Sequence, residues 1–260
     1  SDFGRLLPMS VAVDREGHVF VADPDNARVQ VFGPDGAYQT TIGGAWGPAP
    51  GQMRGPVGLA VDQLGNVLIA DRDNQRILKV APGVPSWTQV NVNGFADRDN
   101  GIVLSLGRFG GLLYAGTDNR NGAQLWRMNS AGAWSSVTTN GFGDRSNGGI
   151  NTLVEFNTQL YAGTWNWNTA ANASNGGQVL RSPDGVTWQR VVPNGFGDPT
   201  NGEVFRFVVF GNGLYASTWS YTGAHGGEIW RSASGNTGDW SRVVANGFGD
   251  AGNFVIGSFA

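Results

Sequence analysis

The sequence of 260 residues contains no cysteine and only two histidines, His18 and His225. The lack of cysteine excludes disulfide bonds, thiolate nucleophiles and cysteine-ligated zinc. The shortage of histidine excludes a metal site built from several histidines. No hydrophobic run approaches the ~20 residues that a membrane-spanning helix needs, so we expect no membrane partner.

Charge is also scarce, because Asp, Glu, Lys and Arg make up only 14% of the chain. Lys79 is the only lysine, and the formal net charge is −3. Such a chain offers no basic field to a phosphate backbone, and we expect no nucleic-acid partner. The absence of cysteine leaves the cellular compartment open, with a secreted or extracytoplasmic location slightly favoured.

The residue present in abundance is glycine, with 42 copies. Glycine without a three-residue period, set among β-branched and aromatic runs, predicts many short strands joined by tight turns. Residues 10–29 recur as residues 58–77 with the shared pattern A-V-D-x-x-G-x-V-x-x-A-D-x-x-N-x-R. This pattern closely resembles the NHL repeat, a propeller blade, over about residues 5–80.

A second type of repeat begins near residue 86. Its signature Asn-Gly-Phe-x-Asp-x-x-Asn occurs four times, at residues 93–100, 140–147, 194–201 and 246–253. Each interval contains a Leu-Tyr-Ala-[Gly/Ser]-Thr strand and a later tryptophan. The stretch 181–188 resembles a shortened Asp-box turn of sialidase-like or lectin-like propellers, with one residue missing from the usual spacing.

We predict an all-β fold, a single β-propeller domain over residues 1–260 with five four-stranded blades plus one surplus strand. Residues 1–85 form two NHL-like blades, and residues 86–260 form three blades of the second type plus a terminal strand at 253–259. Residues 2–4 resemble the end of a preceding outer strand. The ring is then either five-bladed and closed, or part of a six-bladed or larger ring.

Two further expectations follow from this arrangement. An open ring would expose strand edges and favour self-association. The abrupt change of repeat type at residues 81–86 makes an engineered or recombined chimera one interpretation of the sequence.

The recurring motifs have a structural explanation. In the Asn-Gly-Phe-x-Asp loops, Asn-Gly supplies a turn with positive φ, Phe fills the gap between blades, and Asp caps backbone amides. The alternative is a set of structural calcium sites with Asp and Asn oxygens as ligands. Because the motif recurs at every junction, we favour the structural role, assign no metal ligand and expect no cofactor.

Features outside the repeat are better candidates for a ligand site, since the needs of the scaffold do not explain them. Trp165 and Trp167 lie in one loop, and Trp219, Tyr221 and His225 lie in the corresponding loop of the next blade. Aromatic faces flanked by amides and hydroxyls suit sugar rings. We therefore predict a non-catalytic scaffold or binding module with a glycan as ligand. The alternative is that these aromatic residues only pack over the rim.

Two other functions stay open. No nucleophile motif or phosphate-binding loop is present, so we assign no catalytic residue and expect binding rather than catalysis. A hydrolase or lyase with a site at the central channel is the alternative. A platform for protein partners is the third interpretation, because NHL repeats commonly serve in that way.

Overall fold

The computed structural model describes residues 9–83, 87–168, 173–221 and 225–257. Antiparallel β-strands dominate these residues, which confirms the predicted all-β propeller class. Two sequence features, the expected outer strand at residues 2–4 and residues 84–86 of the change in repeat type, lie outside the described residues. The division into two repeat types within one domain stays a prediction.

The first two sheets contain the NHL-like repeats. Blade 1 consists of β1 (Ser10–Val13), β2 (Val19–Asp23), β3 (Arg28–Phe32) and β4 (Tyr38–Gly43). A short parallel pair follows, β5 (Ala45–Trp46) and β6 (Gln52–Met53). Blade 2 consists of β7 (Pro56–Val61), β8 (Val67–Asp71), β9 (Arg76–Val80) and β10 (Trp87–Gln89).

The next three sheets contain the second repeat. Blade 3 consists of β11 (Asn100–Phe109), β12 (Leu112–Asn119), β13 (Leu125–Met128) and β14 (Trp134–Thr138). Blade 4 consists of β15 (Asn147–Phe156), β16 (Gln159–Asn168), the short β17 (Ala173–Ser174), β18 (Val179–Ser182) and β19 (Gln189–Arg190). Blade 5 consists of β20 (Asn201–Phe210), β21 (Gly213–Ser220), β22 (Ile229–Ser232) and β23 (Trp240–Val244).

Helical structure in the described part of the chain is limited to single turns in the loops. These are Pro24–Asn26, Arg72–Asn74, Asn93–Ala96, Gly141–Gly143, Asn194–Gly197 and Asn246–Gly249. Accordingly, no helix there is long and apolar enough to cross a membrane.

The hydrophobic core lies between successive sheets. Each of four buried clusters combines side chains from two neighbouring blades, since a four-stranded sheet can bury its faces only against its neighbours. The fully buried pairs, in ring order, are Val29 with Ile69, Ile77 with Val103, Leu125 with Ile150, and Tyr161 with Val204.

The two end sheets each leave an apolar face uncovered within the described ranges. Val11 of blade 1 is 55% exposed, whereas Leu59, at the same repeat position of blade 2, is 6% exposed. Phe210 of blade 5 is 73% exposed, whereas its counterparts Phe109 and Phe156 are 9% and 5% exposed. Self-association through these ends stays a prediction.

The C-terminal segment contacts blade 5 where a further inner strand would begin. Val255 bridges Trp219, just as Glu203 at the start of blade 5 bridges Trp165. The carbonyl of Asn253 accepts from Gly227 N at 2.8 Å, which repeats the bond at earlier junctions. Val255 thus forms a single bridge where an inner strand would begin, while the surplus strand and the number of blades in the ring stay predictions.

The inner strands of all five sheets surround a central channel with a cavity of about 320 Å³. Each sheet contributes residues from the middle of its first strand. One lining residue per blade, in ring order, is Ser10, Gly58, Ser105, Thr152 and Phe207. This channel and the loops at the start of the inner strands position the candidate site.

Candidate functional site

The NHL-like loops are held by buried carboxylates. Asp71 is fully buried and accepts from Arg76 Nε at 2.7 Å and from Asn74 Nδ2 at 2.7 Å. Asp23 is equally buried and accepts from Arg28 Nε at 2.8 Å. Because both copies use the same pairing, these polar loops stabilise the blades.

The Asn-Gly-Phe-x-Asp loops also have the expected structural geometry. Gly195 and Phe196 both adopt left-handed backbone, each with φ of 58°. The Phe196 ring stacks on Trp230 with centroids 4.7 Å apart, as Phe95 does on its own tryptophan. Asp198 Oδ1 accepts from the backbone amide of Thr200 at 2.9 Å, so the aspartate caps the turn.

A polar network recurs beside these turns. In blade 3, the Asn100 side-chain amide donates to Gln124 Oε1 at 2.7 Å, and Gln124 Nε2 donates to Asp97 at 2.7 Å. Blade 4 repeats both bonds at 2.9 Å with the equivalent residues Asn147, Gln178 and Asp144. The network therefore belongs to the scaffold.

Blade 5 departs from this network. Glu228 replaces the glutamine, accepts from Asn201 Nδ2 at 2.8 Å, and receives Arg242 Nη1 at 2.6 Å. Asp198 loses the glutamine donor and accepts instead from His225 Nε2 at 3.0 Å. Burial alone would raise the pKa of Asp198, but the bonds from Thr200 and the charge of His225 outweigh it and lower that pKa.

His225 is thus engaged by the scaffold. Its Nε2 contacts Asp198 and, at 2.6 Å, the hydroxyl of Thr200, while Nδ1 donates to Gly226 O at 3.0 Å. Both ring nitrogens are occupied. The structure therefore brings His225 to the same rim as the predicted aromatic residues without leaving it free for a ligand.

The four predicted aromatic residues lie at the junction of blades 4 and 5. Trp165 stands opposite Gly149 in its own sheet and bridges Glu203 of the next one. A Cβ on Gly148 or Gly149 would overlap the Trp165 ring. Glycine is therefore required for this ring to lie against the inner strand.

Ring contacts connect the two loops. Trp167 meets Tyr221 edge-on, with centroids 5.6 Å apart and planes at 87°. Trp219 lies 6.1 Å from Tyr221 and 6.0 Å from Phe254. Tyr221 is 37% exposed, and Trp165, Trp167 and Trp219 are partly buried, so part of each ring faces solvent.

A buried carboxyl group lies beneath these rings, and the sequence did not single it out. Glu203 accepts from the Tyr221 hydroxyl at 2.5 Å and from Asn151 Nδ2 at 2.8 Å. Burial raises the pKa of Glu203, although the bonds from Tyr221 and Asn151 oppose that shift. Burial and the Glu203 charge also raise the pKa of Tyr221, which remains a hydrogen-bond donor.

Glu203 and Tyr221 occupy positions at which the three repeats have different residues. Register places Glu203 where blades 3 and 4 have Ile102 and Gly149. Tyr221 likewise corresponds to Arg120 and Trp167. No local motif surrounds Glu203. An alignment of the three repeats could have singled it out, because it is the only acidic residue at that position.

One group of potential metal ligands occurs among the described residues. Asp14, Glu16 and His18 bring their ligand atoms within 4.8 Å of one another, at the edge of a groove of about 1,110 Å³ between blades 1 and 2. His18 Nδ1 bonds to Asp14 at 2.8 Å, and in blade 2 the amide of Asn66 makes the same bond to Asp62. The repeat thus explains this group as a turn, and we assign no metal site.

The NHL repeat family matches residues 7–32 and 53–80, which are the two repeats of blades 1 and 2. No curated protein matches the sequence. The resemblance of the second repeat to sialidase-like propellers stays a prediction.

Three solved structures illustrate the similarity of fold. Virginiamycin B lyase from Staphylococcus aureus is 12% identical, with a TM-score of 0.63 over 89% of this chain and 68% of that one. A chain of a nidogen/laminin complex is 16% identical, with a TM-score of 0.61 over 92% and 79%. A gluconolactonase from Xanthomonas campestris is 13% identical, with a TM-score of 0.58 over 87% and 73%. Identities this low show the fold alone.

Proposed function

We propose that the protein is a binding propeller whose ligand site lies at the junction of blades 4 and 5, and that its ligand is a glycan. The observation that supports this most is the group formed by Trp165, Trp167, Trp219 and Tyr221 around the buried Glu203. We call these five residues the aromatic rim.

The chemistry of the aromatic rim suits a sugar. Partly exposed ring faces offer the C–H faces of a pyranose a stacking surface. The amide of Asn151 and the Tyr221 hydroxyl orient the Glu203 carboxyl group beneath them. A carboxyl group fixed by such partners can accept hydrogen bonds from sugar hydroxyls without further ordering, which lowers the entropic cost of binding.

Glycan-array binding followed by titration calorimetry tests the proposal. We expect Trp167→Ala to weaken binding about tenfold, since losing one stacking face costs about 1.4 kcal/mol. Trp46→Ala is the matched control, because Trp46 is an exposed tryptophan between blades 1 and 2 and outside the rim. A silent array, or equal losses in both variants, would contradict glycan binding.

A second candidate function is that of a hydrolase or lyase that acts at the aromatic rim. A carboxyl group whose pKa is raised by burial can serve as a general acid near neutral pH. The similar folds include a virginiamycin B lyase and a gluconolactonase. Turnover of a sugar lactone that is lost in Glu203→Gln, while binding persists, would favour catalysis.

A third candidate is a platform for protein partners. NHL propellers often mediate protein interactions, and the uncovered faces around Val11 and Phe210 offer apolar surface. A solution mass above that of one chain, reduced to one chain by Phe210→Ser, would support self-association.

A further inference from the structure

The wall of the central channel contains an arginine at a position that is otherwise small and neutral. Arg206 lies on the inner strand β20 and lines the cavity of about 320 Å³. Strand register places it where blades 3 and 4 have Ser105 and Thr152. The repeat therefore does not explain why blade 5 places a guanidinium there.

Among the described residues, the guanidinium has no ion-pair partner in direct contact, although the charge of Glu203 attracts it and opposes the lowering of its pKa. Its Nη1 donates to the carbonyls of Phe205 at 2.8 Å and Asn151 at 3.3 Å, and its Cζ lies 4.3 Å from the Phe205 ring centroid. Within the described ranges, no carboxylate oxygen lies within 4.0 Å of it. Burial lowers the pKa of Arg206 to about 10, so the side chain is still charged at neutral pH.

Hydroxyl groups on the same wall have hydrogens to donate. Ser10 Oγ accepts from Leu59 N at 3.1 Å, and Thr152 Oγ1 accepts from Phe207 N at 3.2 Å. Neither hydroxyl donates a hydrogen bond to another of the described residues. Because both line the cavity with Arg206, a ligand there meets one cation and two hydroxyl donors.

We propose that the central channel binds the carboxylate of a small ligand, with Arg206 as the counterion and Thr152 and Ser10 as additional donors. A planar guanidinium fits a carboxylate through two parallel bonds. Arg206 is the only cation among the described residues that line the cavity, so the site suits a ligand with one negative charge better than a ligand with two.

The volume limits the size of the ligand. A cavity of about 320 Å³ is at the small end of ligand pockets, which span roughly 300–1,000 Å³. The cavity therefore has room for one monosaccharide-sized acid. The inference does not depend on stacking at the aromatic rim, because its contacts lie on different residues.

Titration calorimetry with D-glucuronate at constant ionic strength tests the proposal, with D-glucose as the neutral counterpart. We expect saturable binding of glucuronate to one site per chain, and binding of glucose at least tenfold weaker. Arg206→Gln should weaken glucuronate binding at least tenfold, and Arg206→Lys should weaken it less, because the charge remains but the fork is lost.

Arg108→Gln is the matched control. Arg108 lies on the inner strand of blade 3 and donates to the carbonyl of Val61 at 3.0 Å, but it does not line the cavity. We expect its glucuronate affinity to equal that of the unchanged protein. Thermal unfolding provides a second measurement, since glucuronate should raise the unfolding temperature of the protein and of Arg108→Gln but not of Arg206→Gln.

The outcomes separate the two proposed sites. Equal affinity for glucose and glucuronate, or unchanged glucuronate binding in Arg206→Gln, would overturn the channel site. If Trp167→Ala abolishes glycan binding while Arg206→Gln has no effect on glucuronate, only the aromatic rim survives. If Arg206→Gln loses glucuronate while no glycan binds at the rim, the channel site stands alone.

Discussion

The junction between blades 3 and 4 and the junction between blades 4 and 5 share one scaffold but differ in the side chains that face the ring centre. Where the first has Gly149 and Thr152, the second has Glu203 and Arg206. The turn geometry and the buried asparagine are the same in both. The repeat therefore encodes stability, while its departures in blade 5 bring charged and aromatic side chains together in one place.

The difference extends to the supporting network. Gln178 in blade 4 is neutral and needs no counterion, whereas Glu228 in blade 5 is buried and paired with Arg242. An arginine that both blades share thus pairs with a buried carboxylate only in blade 5. Four predictions test this difference between the blades, in order of decreasing effect on the stability of the protein.

Arg242→Ala should be the most destabilising change, by about 3 kcal/mol, because it leaves the Glu228 carboxylate buried without its partner. Arg190 occupies the same register position in blade 4, opposite a neutral network. Arg190→Ala should therefore cost less than about 0.5 kcal/mol. Denaturant unfolding checks both values, and adding Glu228→Gln to Arg242→Ala should restore most of the loss. Equal losses in the two arginine variants would contradict the contrast.

Replacing the glycine that follows each buried asparagine with alanine should destabilise the protein to a different degree in each blade. A Cβ on Gly148 would overlap Trp165 and one on Gly202 would overlap Tyr221, while Gly101 has only Asp118 Oδ1 nearby, at 3.9 Å. We expect Gly148→Ala and Gly202→Ala to cost about 2 kcal/mol each and Gly101→Ala to be nearly neutral, as measured by unfolding. A destabilised Gly101→Ala would show that the backbone, and not the rings, sets the requirement.

Glu203→Gln should stabilise the protein at neutral pH, because a neutral amide avoids the cost of burying a charged carboxylate. Burial raises the folded-state pKa of Glu203 above the ordinary value of 4.5. Stability that depends on its protonation is fully present below the unfolded pKa and is lost as pH rises through the folded pKa. The gain in the variant should therefore vanish at low pH. Unfolding at several pH values measures this, and a pH-independent difference would contradict it.

Asp198→Asn should have the smallest effect, below about 1 kcal/mol at neutral pH, because the carboxylate is about half exposed. The bonds from Thr200 and His225 keep the pKa of Asp198 below 3.8, despite its partial burial. Its contribution is present above the unfolded pKa and is lost as pH falls through the folded pKa. Asp250→Asn, the equivalent change beyond blade 5, is the control, and an identical pH profile there would remove any role for His225.

The fold could be predicted because repetition supplies many independent copies of one pattern. The offset between the two NHL-like repeats and the four Asn-Gly-Phe-x-Asp loops located the sheets, and the bridge at Val255 follows the fourth copy of that loop. Repetition marks Glu203 only as a departure from the pattern and does not predict its hydrogen-bond partners. Its partners Tyr221 and Asn151 are 18 and 52 residues away, and they meet Glu203 only because the fold places them beside it, in the same blade and in blade 4.

The most direct test of the central claim uses the indole N–H signals of the ten tryptophans in an NMR spectrum. Titration with the tightest glycan from the array should shift the signals of Trp165, Trp167 and Trp219, while those of Trp46 and Trp87 in blades 1 and 2 stay in place. Shifts confined to Trp46 or Trp87, or no saturable shift at all, would contradict a ligand site at the junction of blades 4 and 5.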